Sequence, residues 1–487
     1  MPEGKVRALD TLPTTEALLV SDGDARIALD PLTGLNKYGC PVVPDPDLLD
    51  FASSTATVIS EAGFAAAWQL REIRLHQSGT ESLDDFYARE MQRIREALLM
   101  EVADLNPRLV FAVSGTDAHF MIARYVARST DQPLWVLMVE EAETGSGVAA
   151  ALSASFDAPA DRVHIDVLPL RTSQGAPRPP AEIDTDASAR VQQAIASGRH
   201  VLLVMVDQSK TGMIAPSPAC VMQLHRRHPD QLSVLVDACQ FRLAKDSLRA
   251  YLQQGFMVAL TGSKFFTGPS FSAALLLPQG ATERAGLRAF PRQTTTNGAP
   301  EAVQPDFTLL GLLLRWEAAR VEIQRFRAFP QAQIRQRMAA FAEAIQQRLN
   351  DDPHFEPLFV PPLDRRPLVT VQSWDQIQSI FPFVLYRLPE DCGHAERIPL
   401  SREETLQIYR QLQVSEGSGI GVRRCRLGQP VVCGSRAGVE VSALRLCLSA
   451  RQICDAAGDA GLSGVIDDAL VVLDKTAWLI DKSVGSW

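Results

Sequence analysis

Ser233-Val234-Leu235-Val236-Asp237-Ala238-Cys239-Gln240, followed by Met257-Val258-Ala259-Leu260-Thr261-Gly262-Ser263-Lys264-Phe265-Phe266, is the stretch whose reading decides the fold. Each part begins as a continuous apolar run of strand length and ends in charged and small polar residues. A run that is apolar at every position marks a strand buried on both faces, as in a parallel sheet between helices. Ligands of such sheets bind beyond the carboxyl ends of the strands. Asp237 and Lys264 therefore stand, one strand apart, where chemistry is expected.

The same pattern recurs outward. Leu109–Val113, Leu134–Glu140, Val163–Leu168, Val201–Val206 and Ala273–Leu277 are further apolar runs of strand length. Helical stretches such as Ala118–Ser129 and Ala187–Ala196 separate most of them. This alternation predicts an α/β domain with a mostly parallel seven-stranded sheet sandwiched by helices. Met257–Leu260 and Ala273–Leu277 are too close for a helical crossover, so one of this pair is expected to run antiparallel. Ser82–Leu105 has an amphipathic helical period, with Ser82 and Asp85 at capping-box spacing. Leu309–Phe326 and Gln331–Leu349 read as helices broken at Pro330. Beyond residue 350, strand candidates Leu368–Val371, Phe381–Leu385 and Leu444–Leu448 flank a helix capped by Ser401 with Glu404, which suggests a smaller α+β domain. Residues 1–70 lack a strong period and read as an arm over another part of the protein. The expected division is residues 1–75 as an N-terminal arm and part of the small domain, 76–325 as the large domain, and 326–487 as the small C-terminal domain.

Composition narrows the function. The net charge of −9 leaves no basic excess for general nucleic-acid or membrane-surface binding. No apolar run approaches the roughly 20 residues that span a bilayer. Met1–Pro13 has charges and no apolar signal core. The eight cysteines form no C-x-x-C pair, so reduced thiols in a cytoplasmic protein are expected and no metal site is.

Four strand ends carry unusual residues. Ser114-Gly115-Thr116-Asp117 opens a helix after the first strand, where unpaired N–H groups and the helix dipole favour a phosphate; a plain N-cap is the alternative. Asp207-Gln208-Ser209-Lys210-Thr211-Gly212 clusters polar side chains, which would reach a ring substituent or form a solvent-facing turn. Asp237 at a buried strand end needs a partner, since an unpaired buried charge is costly. A protonated pyridine nitrogen would serve, as would a salt bridge. Lys264, followed by two phenylalanines, sits in apolar surroundings that lower a lysine's pKa and suit Schiff-base formation. The four together come in the order that a pyridoxal 5'-phosphate (PLP) site needs. No G-x-G-x-x-G follows the first strand, which argues against a nicotinamide-dinucleotide enzyme.

These motifs resemble the fold-type I PLP enzymes, in particular the class V aminotransferase and cysteine-desulfurase-like group, over residues 80–310 and again near 415–450. Asp237-Ala238-Cys239-Gln240 looks like that group's Asp-x-x-Gln, and Thr261-Gly262-Ser263-Lys264 like its Ser-x-His-Lys. The resemblance implies that Asp237 pairs the pyridine nitrogen, Gln240 bonds the ring's phenolic oxygen and Lys264 is the Schiff-base lysine. It further implies that Ser114, Gly115, Thr116 and Thr261 hold the phosphate, and that Ser209 lies near the ring oxygen. Thr294, Thr295 and Thr296 resemble the threonine lent across a homodimer interface to the partner's phosphate, with Thr296 taken as the ligand. Arg445 resembles the arginine that clamps the substrate carboxylate. Thr144 or a neighbour takes the place of the group's ring-stacking histidine; His119 lies inside the phosphate-turn helix instead. Leu427 stands near the position of the desulfurase persulfide cysteine, with Cys425 two residues away. Composition of the arm adds Asn36 as a substrate-facing candidate, and Arg292, Arg423 and Arg424 as candidates for a second substrate acid group.

The implied activity is a transferase or lyase acting on a small-molecule amino-acid substrate through an external aldimine, as an aminotransferase or Cβ lyase, in a homodimer with shared active sites. Carbon–carbon bond chemistry of the decarboxylase or aldolase type is the alternative reaction. A non-catalytic binding protein on the same fold is the alternative class.

Overall fold

The computed structural model describes residues 12–77, 80–145, 147–154, 162–279, 308–389, 397–456 and 459–483. The chain enters through a short helix, Thr15–Leu19, then β1 (Leu48–Phe51) and helices Glu61–His76 and Leu83–Leu99, and then builds the large sheet. Its strands are β2 (Arg108–Ala112), β3 (Leu134–Val139), β4 (Val163–Leu168), β5 (His200–Asp207), β6 (Ile214–Ala215), β7 (Leu232–Ala238), β8 (Met257–Thr261) and β9 (Ala273–Leu277). Seven of them lie in the order β2-β9-β8-β7-β5-β3-β4, and the short β6 pairs with β5. The pairs within β4-β3-β5-β7-β8 are parallel, whereas β9 runs antiparallel to both β8 and β2. All residues of β5 and β8 are buried, as their uninterrupted apolar runs require. Full burial of each aliphatic side chain is worth roughly 1.5–3 kcal/mol, so the sheet is a rigid base for the loops at its carboxyl edge.

The second sheet adds β10 (Phe355–Pro357), β11 (Ile380–Arg387), β12 (Ile398–Pro399), β13 (Arg424–Arg436) and β14 (Val439–Cys447). Its order is β1-β13-β14-β11-β10, with β12 on β11. The arm contributes β1, which pairs parallel to β13 with Leu49 opposite Cys425. The helix Arg402–Leu412 starts at a capping box of Ser401 and Glu404. Helices Thr308–Arg327 and Gln331–Asp351 meet at Pro330, which caps the second. Among the described residues no helix is long and apolar enough to cross a membrane.

Three expectations change. Leu368–Val371 is a turn, not a strand: the N–H groups of Leu368 and Val369 both donate to the Arg365 carbonyl. Arg365 itself turns inward onto Asp207 of β5. The helix expected over Ser82–Leu105 stops at Leu99, and a separate 3₁₀ turn, Ala103–Leu105, leads to Asn106 in the left-handed region at φ 45°. The C-terminal helix Asp459–Ser483 was not foreseen; its Lys475 is buried and donates to the carbonyls of Leu412 and Val414.

Candidate active site

The carboxyl ends of the parallel strands share one edge, and backbone strain collects there. Gln208, Phe241, Thr267 and Phe271 have positive φ (60°, 53°, 53° and 69°), a conformation costly for non-glycine residues and typical of functional sites. Asp237 lies at this edge, with its side chain buried. Its Oδ2 accepts from Thr144 Oγ1 at 3.1 Å and faces His119 Nε2 at 3.3 Å, while Oδ1 accepts from the Cys239 N–H at 3.1 Å. His119 Nδ1 donates to the Gly115 carbonyl at 2.7 Å. With Nδ1 protonated, Nε2 can donate to Asp237 only as imidazolium. Burial opposes that charge, but Asp237 and the Gly115 carbonyl outweigh it and raise the His119 pKa above the ordinary histidine value. Burial likewise opposes the Asp237 carboxylate; His119, the Cys239 side chain and the charge of Lys264 overcome it and hold the carboxyl well below the usual range. The side-chain atoms of His119, Asp237 and Cys239 lie within 4.8 Å of one another. Burial pushes the Cys239 thiol well up, so this group is an ion pair beside a neutral thiol.

The turn after β2 is a capping box: Ser114 Oγ accepts from the Asp117 N–H at 3.2 Å, and Asp117 Oδ2 accepts from the Ser114 N–H at 3.0 Å. That leaves the next N–H groups, of Gly115 and Thr116, directed out of the helix end. A Cβ on Gly115 would stand 3.1 Å from Cys239 Sγ, so any larger residue here would press on the thiol just after β7. Thr116 Oγ1 accepts from Arg26 Nη1 at 3.3 Å and keeps its own proton to donate. Arg26 is itself held by Asp24, and its guanidinium lies over the Phe271 ring, 5.1 Å from the centroid. Thr261 Oγ1 donates to the Cys239 carbonyl at 2.6 Å, which commits its one hydroxyl proton.

Lys264 follows β8 on a tight turn. A Cβ on Gly262 would meet Ala319 Cβ at 2.7 Å, so the helix Thr308–Arg327 packs directly on this backbone. Thr57 Oγ1 donates to the Ser263 carbonyl at 3.3 Å, bringing the arm beside the lysine. Lys264 is half-buried, and its charge acts on Asp237, His119 and Lys210.

The arm segment Ser53–Thr57 also meets the other half of the site. Ser54 O accepts from Gln240 Nε2 at 3.1 Å, and Gln240 Oε1 is buried with no partner among the described residues. Arg445, on β14, donates to Thr55 Oγ1 at 2.9 Å, the Gln429 carbonyl at 2.7 Å and the Lys210 carbonyl at 3.1 Å. Arg242 donates to Ser53 Oγ, Ser379 Oγ and the Leu448 carbonyl, each at 2.8 Å. Ser209 Oγ donates to Glu143 at 2.6 Å, inside a buried network with Arg171 and Thr211.

The structure thus brings Ser114, Gly115, Thr116, Thr144, Asp237, Gln240, Thr261, Lys264 and Arg445 to one edge. Thr144 serves Asp237, at the end of the site where a ring nitrogen would be. Asn36 braces its own loop, its Oδ1 accepting from the N–H groups of Tyr38 and Cys40. Thr294, Thr295, Thr296 and Arg292 lie outside the described residues. Arg424 forms a two-bond pair with Asp45, and Arg423 faces Asp468 at 3.8 Å, so both are engaged by carboxylates. Cys425 is fully buried and its thiol is pushed up to about 11 by burial, which removes it as a persulfide-forming nucleophile. Sequence reading missed the site roles of Ser53–Thr57 and Arg26 and the pairing of His119 with Asp237. The serine and threonine run 53–57 was the one visible signal.

The donor set fits PLP. A helix N-terminus with an adjoining hydroxyl offers the phosphate its N–H groups. Asp237 offers a carboxylate kept ionised, and a carboxylate accepts about four hydrogen bonds, more than are used here. Gln240 Oε1 and Arg445 Nε are buried polar atoms without partners among the described residues.

The sequence matches no protein-family model and no curated protein. The backbone is similar to solved structures. The cysteine desulfurase CsdA from Escherichia coli aligns with TM-score 0.52 and 15% identity, covering 88% of this chain and 95% of that one. The cystine C-S lyase C-DES, in complex with its reaction product cysteine persulfide, aligns with TM-score 0.54 and 15% identity, covering 87% and 97%. TDC from Oryza sativa, with PLP and tryptamine, aligns with TM-score 0.51 and 14% identity, covering 90% and 84%. At these identities the likeness is one of fold: large and small domains of the fold-type I PLP enzymes.

Proposed function

We propose that this chain is a PLP-dependent enzyme acting on a small-molecule amino-acid substrate, as an aminotransferase or a Cβ lyase. The observation that carries the reading is the placement of a buried Asp237 and of Lys264 at the ends of neighbouring parallel strands of this fold. Asp237 would hold the protonated ring nitrogen and Gln240 the phenolic oxygen. Ser114, Gly115 and Thr116 would hold the phosphate, joined by Thr261 once its hydroxyl turns from the Cys239 carbonyl, and by Thr296 of a second copy in a homodimer. Bound there, PLP supplies an electron sink for bonds at the substrate α-carbon. Lys264 would hold the cofactor covalently, and its amine, once free, would be placed to take and return the substrate α-proton. Arg445 orients the substrate carboxylate, because its guanidinium is fixed by three acceptors and meets no carboxylate among the described residues. His119 keeps Asp237 ionised by holding a proton at Nε2.

The test is the visible absorbance of the purified protein incubated with PLP, before and after borohydride, beside Lys264→Ala. A band that borohydride bleaches, with pyridoxyl mass added to the peptide containing Lys264, is expected. No band in the wild-type protein would overturn the enzyme reading in favour of a binding role on this fold. Candidate amino acids added to the loaded protein then separate transamination from β-elimination by product: an oxo acid with the aminated cofactor, or ammonia with pyruvate.

A further inference from the structure

The site holds more positive charge than one α-carboxylate can answer. Arg445 is 2 % exposed and donates only to neutral oxygens, of Lys210, Thr55 and Gln429. Its Nε has no partner among the described residues. Lys210 lies beside it, since it is the Lys210 carbonyl that Arg445 grips. The Lys210 ammonium donates to the Glu141 carbonyl at 2.9 Å and to no carboxylate among the described residues. Glu143, on the facing turn, is committed to Arg171, Ser209 and Thr211. Arg242 is a third cation with neutral partners, but it is sealed under the Phe265 ring, 4.9 Å from the centroid. Unpaired charge in such surroundings is costly, and an incoming anion relieves the cost. The cofactor phosphate does not serve, because the turn suited to it follows β2, whereas Lys210 and Arg445 lie beyond β5 and on β14.

We propose that the substrate carries a second acidic group, received by Lys210 while Arg445 holds the first: an acidic amino acid of the aspartate or glutamate class. This rests on the PLP reading above. Lys210 is half-buried rather than sealed, so its ammonium can exchange the Glu141 carbonyl for a carboxylate. The charge-assisted bond gained is among the stronger hydrogen bonds a protein makes. Arg423 and Arg424, which composition suggested for this role, are already paired with Asp468 and Asp45.

The experiment uses the PLP-loaded protein and unreactive ligands. Succinate and glutarate are titrated calorimetrically against butyrate, in the wild-type protein, Lys210→Gln and Lys210→Arg. The cofactor absorbance of each variant serves as a check on folding. The wild-type protein is expected to bind the dicarboxylates about 10-fold more tightly than butyrate, and Lys210→Gln to lose that preference. Lys210→Arg is expected to keep most of it. Equal binding of mono- and dicarboxylates by the wild-type protein, or a preference that survives in Lys210→Gln, would overturn the proposal while leaving the PLP reading intact. Failure to take up PLP at all would overturn both.

Discussion

Replacing His119 with asparagine separates two contacts that the imidazole makes at once, a hydrogen bond to the Gly115 carbonyl and an ion-pair contact with Asp237. An asparagine amide nitrogen lies close to where Nδ1 was and can still donate to the Gly115 carbonyl. It does not extend to the Nε2 position, 3.3 Å from Asp237 Oδ2. Asp237 would keep only the Thr144 hydroxyl and the Cys239 N–H, with no cation in contact. Removing one partner of a buried ion pair costs about 3–5 kcal/mol. At the lower figure, a cooperative unit of about 250 residues melts roughly 6 °C earlier. The effect has a pH window. His119, whose pKa is raised, contributes stability fully present below about 6.5, the unfolded value, and lost as pH rises through the higher folded value. Asp237, whose pKa is lowered, contributes above about 4 and loses its contribution as pH falls toward the folded value. The melting difference between wild-type and His119→Asn proteins without cofactor is therefore expected to be greatest between about pH 5 and 6.5 and to shrink toward alkaline pH. PLP should narrow the gap, because a protonated ring nitrogen gives Asp237 a new counter-ion. Differential scanning calorimetry with and without PLP tests each point. Equal melting of the two cofactor-free proteins at pH 6 would refute the ion pair.

Two further outcomes follow from the geometry. Cys425→Ser is expected to leave turnover unchanged, and iodoacetamide at pH 7.5 should not label Cys425 in the native protein, since burial holds the thiol at about 11; ready labelling would restore it as a nucleophile. Arg365→Met strips a fully buried, two-bond partner from Asp207, with both bonds at 2.7 Å, and is expected to destabilise by about 3–5 kcal/mol in urea unfolding. Adding Asp207→Asn should recover much of that loss, and a double variant no better than the single one would contradict the account.

Much of the large domain was legible because its physical cause is local. A strand buried on both faces must be apolar throughout, so β5, β7 and β8 announced themselves within a residue or two. Each ends where polar residues begin, which puts Ser209, Asp237 and Lys264 on successive strand ends, as Ser114 stands after β2. The short link between β8 and β9 likewise pointed to a loop with one strand antiparallel, and β9 runs antiparallel to β8. Leu368–Val371 was misread because four apolar or β-branched residues look alike in a strand and in a turn. What distinguishes them is Arg365, drawn inward by an aspartate far away in sequence.

The remainder depended on distance in sequence. His119 and Asp237 meet only because the helix Gly115–Arg128 packs over β8 and β9 with one face inward, and no local signal states which face. Ser53–Thr57 reaches Gln240, Ser263 and Arg445 because β1 joins the second sheet beside β13, a pairing set by long-range register. The charge balance around Lys210 is likewise tertiary, since an ammonium is unpaired only by virtue of where every carboxylate ends up. By itself the sequence determined the strand ends and the residues on them, because hydrophobic burial acts residue by residue. The tertiary structure alone decided which of those residues are partnered and which are left facing a ligand, because ion pairs and hydrogen bonds depend on separations of a few ångströms between segments hundreds of residues apart.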